Sequence, residues 1–451
     1  MVLLYWLIFA IILGFAWIDC KRTIIVWMPL QLLFNDMVAL KYTSPILTLS
    51  IAINFILPLI FLYKYILKNK RTELTNEPFF FNKVFVLYLI SYILSIIFSI
   101  APFATIINAT LKFFIKNFLM VYLFQLCLKN KKDLYLFLKT IIIISILISG
   151  LGLIESIIHN NPIQNFIYYS APNAGSEIYR DRVYYIPPTI RGTMAMRYGM
   201  VRAYSFFGIP ITFGIACILL GFFLFLFIRT NKYIFKPYIM WGTLVLLICG
   251  VFTANSKTGL IGLFIILFCF FSPKQIFNLK IILPILTIIF IIMIYFPGYI
   301  NNYLSLFNPD IATEGGGSSI KGRQIQFETA LRLFYLNPIF GNGCGSIPIL
   351  KVTQNANDIL GAESSWMQIL PERGIFGAII YIYWYIYVFK KLLINVPKKV
   401  TLYLLLSIFV METATGMLDM ALYSTIIIAT RKFFQIYKKR KKKRKIIHYQ
   451  Y

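Results

Sequence analysis

The strongest constraint on this chain is a succession of apolar runs about as long as a bilayer core is thick, separated by short clusters of Lys and Arg. In lipid a backbone must satisfy its own N–H and C=O groups, so only helices and closed barrels can span. Barrel strands would alternate apolar and polar residues over roughly ten-residue segments. Runs such as Ile141 to Leu153 and Ile281 to Ile294 do not alternate. Charged residues are 13% of the chain, about half the ~25% usual in a soluble domain. The expectation is an all-α polytopic membrane protein with about 12 transmembrane helices. The candidate spans are residues 3–19, 24–40, 44–63, 84–100, 103–127, 135–156, 204–228, 236–253, 257–272, 280–297, 366–389 and 400–430. The second is interrupted by Pro29, Gln31, Asn35 and Asp36. The last is too long for one pass at about 1.5 Å per residue, and Glu412 to Gly416 break it. It reads as a broken helix or a tight hairpin.

The chain carries 44 Lys and Arg against 16 Asp and Glu, a net charge of +28. In a soluble protein that balance would suggest nucleic acid. Here the excess lies between the apolar runs and in the tail, where Arg431 to Lys445 hold ten basic residues. The expected role is a cytoplasmic topology signal that also touches anionic membrane lipid, with no nucleic-acid partner. Lys64 to Lys83, Lys129 to Lys132, Arg229 to Lys236, Lys274 with Lys280, and Lys390 to Lys399 agree on one side. Two long loops, 157–203 and 298–365, then face outward. The expected organisation is 1–156 (N-terminal helices), 157–203 (first outer loop), 204–297 (central helices), 298–365 (second outer loop), 366–430 (C-terminal helices) and 431–451 (basic tail).

The six cysteines show neither a paired framework nor metal-ligand spacing, so no metal site and no cofactor are expected. The start of the chain lacks a basic stretch and a cleavage site and reads as a retained helix. In the second loop, Phe327, Ala330, Leu331 and Phe334 recur at i, i+3, i+4 and i+7. They predict an amphipathic helix lying across the outer membrane surface or the protein's mouth, with Glu328 and Arg332 paired on another face.

Five outer-loop cations, Arg180, Arg182, Arg191, Arg197 and Arg202, are all arginine in a chain rich in lysine. Either this is a solvated loop or an anion site, since arginine offers phosphate a bidentate fork. Arg202 stands at the mouth of a span, where a cation is costly unless it is used or snorkels. Lys257 opens another span and opposes the positive helix end, with Asn255 or Ser256 as the cap. Arg323 falls in the first turn of the loop helix, a place for an anion or an ordinary surface residue. Gly341-Asn342-Gly343-Cys344-Gly345 reads as a turn at a helix end, because it lacks the strand and the Lys-Ser/Thr of a phosphate loop. Glu363 precedes the re-entry at Ser364-Ser365-Trp366 and is either a helix cap or a general base. Glu372, one or two turns deeper, pairs with Arg373 or orients the site. Glu412 and Asp419 are intramembrane acids.

In their order these segments resemble the O-antigen polymerase and ligase family, Wzy and WaaL. The similar segments are Arg202-Ala203-Tyr204-Ser205-Phe206-Phe207-Gly208-Ile209-Pro210, then Ser256-Lys257-Thr258-Gly259 with lysine in place of the family's arginine. Arg323 follows, then Asn337-Pro338-Ile339-Phe340-Gly341-Asn342-Gly343, and last Glu363-Ser364-Ser365-Trp366 running on to Gly377. The ligases' His-Asn pair is absent. The chain has only His159 and His448, which tilts the resemblance toward polymerases. The resemblance implies transfer of a glycan from a polyprenyl diphosphate to an acceptor hydroxyl, with inversion and without a metal. It implies Arg202 and Arg323 on the diphosphate and Glu363 as base. Arg191, Arg197, Lys257, Trp366 and Glu372 would bind substrate. The implied setting is the bacterial plasma membrane, with polyprenyl-diphosphate-linked oligosaccharide as substrate and a chain-length regulator as partner. A ligase with the same fold is the nearest alternative, and a polysaccharide or lipid transporter is another. A transporter would carry inverted repeats, and none is visible.

Overall fold

The structure is a computed structural model that describes residues 2–34, 39–41, 47–68, 71–170, 196–198, 200–207, 209–230, 234–270, 297–305, 308, 310–311, 320–356, 364–415 and 420–448. The expectations for Arg180, Arg182, Arg191, Glu363, Asp419 and the span 280–297 up to residue 296 lie outside the described residues.

Helix α1 (Val2–Ile18) is followed by α2 (Cys20–Leu30), capped by the Asp19 carboxylate on the Arg22 N–H. The expected second span does not run to residue 40. Helix α2 ends at Leu30, after Pro29, and a short antiparallel pair follows, β1 (Ala39–Lys41) with β2 (Leu47–Thr48). Next come α3 (Leu49–Phe61), extended by a π-turn to Leu67, and α4 (Asn82–Ile97). Helices α5 (Phe103–Phe114) and α6 (Met120–Cys127) are joined through a π-turn into one 25-residue rod. Helix α7 (Lys131–Ile158) starts on a reciprocal Asn130/Asp133 capping box, which satisfies two otherwise orphaned N–H groups.

The first long loop opens with α8 (Pro162–Ser170) and closes in a two-residue hairpin, β3 (Met196–Arg197) with β4 (Met200–Val201). Helix α9 (Pro210–Arg229) is apolar all round and buried on nearly every side, as expected of a central post. Around it pack α10 (Pro237–Thr253) and α11 (Lys257–Phe270). The second loop contributes α12 (Pro297–Leu304), α13 (Ile320–Phe334) and α14 (Ile347–Thr353). The chain ends with α15 (Ser365–Leu393), α16 (Lys398–Thr415) and α17 (Met420–His448).

Among the described residues, five helical stretches are long and apolar enough to cross a membrane, and four shorter apolar helices accompany them. The chain is an all-α polytopic membrane protein. Exposed Phe, Ile, Val, Leu and Trp side chains, among them Phe15, Ile143, Val245 and Ile379, lie outside the apolar core. The segment expected at 400–430 is two helices, α16 ending at Thr415 and α17 starting at Met420. One end of the bundle is lysine-rich. There Lys21 pairs with Asp133 at 2.9 Å, Lys64 donates to the Trp17 carbonyl, and Lys432 and Arg431 meet Glu77 at 3.2 and 3.3 Å. Described parts of the second long loop lie at the opposite end, where Ser305 bonds Lys257 at the start of α11 and Arg323 bonds Ala414 at the end of α16.

Candidate functional site

Three pieces of the loop end carry the segments singled out in the sequence. The first holds Arg202. The expected helix from 204 begins only at Pro210, because residues 202–207 are tied down in a non-helical path. The buried Glu155 carboxylate of α7 accepts the Tyr204 and Ser205 N–H groups at 2.9 and 2.7 Å, and the Asn161 amide at 2.9 Å. Ser205 takes a left-handed φ of 54° and donates its hydroxyl to the Ile148 carbonyl at 2.6 Å. Gln164 donates to the Ser205 carbonyl at 3.1 Å. A carboxylate that accepts three N–H groups is an effective clamp in an apolar setting. Arg202 itself is buried, at 7% exposure.

The Ala203 N–H donates to the Thr253 carbonyl at 3.0 Å. That bond brings Arg202 beside the turn that carries Lys257. Asn255 is left-handed there (φ 44°), and the Ser256 hydroxyl accepts the Gly259 N–H at 3.4 Å, the expected cap. Lys257, at the first position of α11, donates to Ser305 at 2.8 Å, and Asn302 donates to the Asn255 side chain at 2.8 Å. The second loop is thus hydrogen-bonded to the lysine turn.

The second piece surrounds the start of α15. Ser364 caps this helix by accepting the Trp366 N–H at 3.3 Å, and the Ser365 hydroxyl donates to the Glu412 carbonyl of α16 at 3.1 Å. The Glu412 carboxylate is buried and accepts the hydroxyls of Tyr381 and Tyr385 at 2.7 and 2.6 Å through Oε2. Its Oε1 has no hydrogen-bond partner among the described residues. The Trp366 ring stands edge-on to Tyr381 at 5.3 Å. Arg323, in the first turn of α13, donates to the Ala414 carbonyl in the last turn of α16 at 2.8 Å, where the helix dipole favours a cation. Its Nε–H is buried with no hydrogen-bond partner among the described residues. An orphaned guanidinium donor beside a helix end fits an anion.

Helices α11 and α16 join these two pieces. They pack antiparallel at Gly262, where a Cβ would press on Met411 and where Ser407 donates to the Gly262 carbonyl at 3.4 Å. Lys257 lies five residues above that contact, about 7.5 Å along the axis, and Ala414 three residues above it, about 4.5 Å. The lysine and the anchor of Arg323 therefore stand at neighbouring heights.

The third piece is a break in α15. Gly374 leaves the helix (φ 61°, ψ −163°), and the Asn337 to Gly343 turn is paired to the unwound strand. Asn342 and Gly343 N–H groups donate to the Pro371 and Glu372 carbonyls, both at 2.9 Å. In return, Ile375 and Phe376 N–H groups donate to the Pro338 and Ile339 carbonyls at 2.9 and 3.1 Å. Non-helical backbone at membrane depth survives only when protein satisfies it, and this turn does so. Gly341 (φ 75°) lies against the Glu372–Arg373 peptide, which leaves no room for a Cβ. The Glu372 carboxylate accepts the Gly345 N–H at 2.9 Å, so it is placed in this lock, below the cluster at Trp366. The buried Arg373 guanidinium lies 5.2 and 5.1 Å from the ring centroids of Tyr88 and Tyr92 on α4.

The structure thus brings Arg202, Lys257, Arg323 and Trp366 to one end and sets Glu372 deeper. Arg197 lies in β3. The loop helix buries Gln326, Thr329, Ala330, Leu333 and Phe334, while Phe327 is 39% exposed. Its inner face is turned from the expected one because it packs on α15 and α14 rather than flat on a surface. Glu328 accepts from Gln324 at 2.9 Å. Sequence reasoning passed over Glu155, Asn161, Gln164, Tyr381 and Tyr385. An acid inside the apolar run 135–156 was the one available signal for Glu155. The tyrosines look like ordinary aromatic filling until Glu412 is placed beside them.

No curated protein matches this chain. Residues 242–382 match the family model described as O-antigen ligase (Wzy_C), a stretch that includes Lys257, Arg323, Trp366 and Glu372 and begins after Arg202. This match supports, over that stretch, the resemblance to the O-antigen polymerase and ligase family read from the sequence.

Proposed function

We propose that the protein polymerises polyprenyl-diphosphate-linked oligosaccharide repeat units into a surface polysaccharide, whether O-antigen, capsule or exopolysaccharide. The observation that carries this reading is that three cations from three separate segments lie at one end of the bundle, Arg323 and the start of α15 both bonded to the last turn of α16. In the reaction an acceptor hydroxyl oxygen bonds to the anomeric carbon as the bond from that carbon to the diphosphate oxygen breaks, with inversion. The electron pair leaves on the lipid diphosphate. Arg202 and Arg323 hold that developing charge, with Lys257 beside them. Preorganised cations in a water-poor site are worth about 3–4 kcal/mol each to such a step. Glu363 directly precedes the Ser364 cap of α15 and takes the acceptor's proton. Arg191 and Arg197 of the first loop, and Trp366, guide the glycan.

The lysine-rich end supports a cytoplasmic tail, with the long loops on the outer face of the bacterial plasma membrane. A chain-length regulator is the expected partner there. The ligase reading is favoured by the description of the matched family model. It differs in product, since a polymerase leaves its polymer on polyprenyl diphosphate.

The test uses purified protein in detergent with a polyprenyl-diphosphate-linked repeat unit and EDTA, run beside Arg202→Ala and Glu363→Gln. A ladder that persists in EDTA and is lost in both variants supports the reading. A full ladder in Arg202→Ala removes the arginine's role, and one in Glu363→Gln removes the base. Absence of any ladder from folded wild-type protein shifts the assignment to ligase or transporter.

A further inference from the structure

We infer that a cleft between α9, α10 and α11 seats the first isoprene units of the lipid diphosphate's tail, a proposal that rests on the function proposed above. Helices α10 and α11 both pack on α9 and leave between them a cavity of about 190 Å³. Its lining is almost wholly apolar and includes Cys217 and Gly221 of α9, Leu244 and Val251 of α10, and Leu263 and Leu267 of α11. An apolar cavity of about 150 Å³ takes up benzene, a six-carbon ring. The cleft therefore has room for about one or two five-carbon isoprene units.

Its position names the occupant. A Cβ on Gly259 would lie 3.5 Å from Val251 and 3.6 Å from Ser256, so the upper end of the cleft sits directly under the turn that carries Lys257. Helix α11 bears Lys257 at its first position and lines the cleft at Leu263 and Leu267, roughly 9 and 15 Å lower. One helix thus offers a cation to a head group and an apolar wall to what hangs below it. Arg202 is joined to the same turn through Ala203 and Thr253. Two cations at the head of one tail slot fit a diphosphate ester better than the single charge of a phosphodiester lipid.

The experiment photolabels the full-length protein with sugar-free polyprenyl diphosphate carrying a diazirine on its second isoprene unit, followed by peptide mapping. Label is expected at 244–251 and 263–267, displaced by unlabelled polyprenyl diphosphate and not by phosphatidylglycerol. Label spread around the lipid-facing belt, or displaced equally by phosphatidylglycerol, overturns the proposal. In turnover, Leu263→Trp is expected to raise KM for the polyprenyl-linked repeat unit about tenfold, and to leave KM for a one-isoprene analogue that ends above Leu263 within twofold. Equal shifts for both substrates count against the slot. Leu267→Trp serves if Leu263→Trp does not fold. Label in the cleft without polymer from wild type overturns the polymerase reading and keeps the tail site. Polymer with label elsewhere overturns the tail site alone.

Discussion

Glu155 shows how much of this site hangs on one side chain. Its Oε2 accepts three N–H groups, two of them from the backbone directly after Arg202. In Glu155→Gln one oxygen becomes an NH₂ group, and the fold must present an amide to backbone donors. Turnover is expected to fall at least about tenfold, from an arginine misplaced by a fraction of an ångström, while Glu155→Asp recovers part of it. Equal activity in Glu155→Gln would show that Arg202 is held by other means. Arg323 is bound to a helix end and also presents a buried, unsatisfied Nε–H among the described residues. Arg323→Lys keeps the charge and loses the fork, so polymer synthesis is expected to drop about 10²-fold. Near-normal rates in Arg323→Lys would mean that only net charge matters there.

At the level of elements, the break in α15 and the Pro338–Gly343 turn form one unit, although about thirty residues separate them in the chain. Gly341 is left-handed and flush against the Glu372–Arg373 peptide. Gly341→Ala is expected to cost at least about 2 kcal/mol, from backbone strain and displaced pairing together. The check is a lowered thermal midpoint in detergent; an unchanged midpoint would mean that the turn is not locked to the helix. Across the same break, Arg373 is flanked by Tyr88 and Tyr92. Desolvated cation–π contacts of this kind are worth about 2 kcal/mol, and Tyr88→Leu with Tyr92→Leu should loosen α4 from α15, read as faster proteolysis of that face.

For the whole molecule, the lysine-rich end is more than a topology signal. Glu77, in the segment before α4, meets Lys432 and Arg431 of α17. Burial pushes its carboxyl up, but the two cations outweigh that and hold it below the ordinary carboxylate range. A folded pKa below the unfolded value of about 4.3 contributes stability that is present above that value and lost as pH falls through the folded pKa. The thermal midpoint of wild type is expected to fall on acidification below about pH 4, and Glu77→Gln to lower it at pH 7 and flatten that part of the decline. Parallel acid profiles for both proteins would remove Glu77 as a clamp on the C-terminal helix.

Apolar runs and flanking lysines were enough to read a helical membrane bundle, because lipid allows a backbone so few solutions. Arg202, Lys257 and Arg323 were legible as cations in costly places. Their convergence was not, because it depends on α11 packing against α16 and on Ala203 bonding to Thr253, contacts between residues far apart in the chain. The second expected span failed at Pro29, where a run of moderate hydropathy conceals a short helix followed by a strand pair. The glycine turn read locally as a helix end, and only its pairing with the unwound α15 shows that it completes another helix's backbone. Tyr381 and Tyr385 were hidden for the same reason. A hydrogen bond between side chains on two helices leaves no period in either one, so hydropathy and spacing reveal the bundle, and packing alone makes the site.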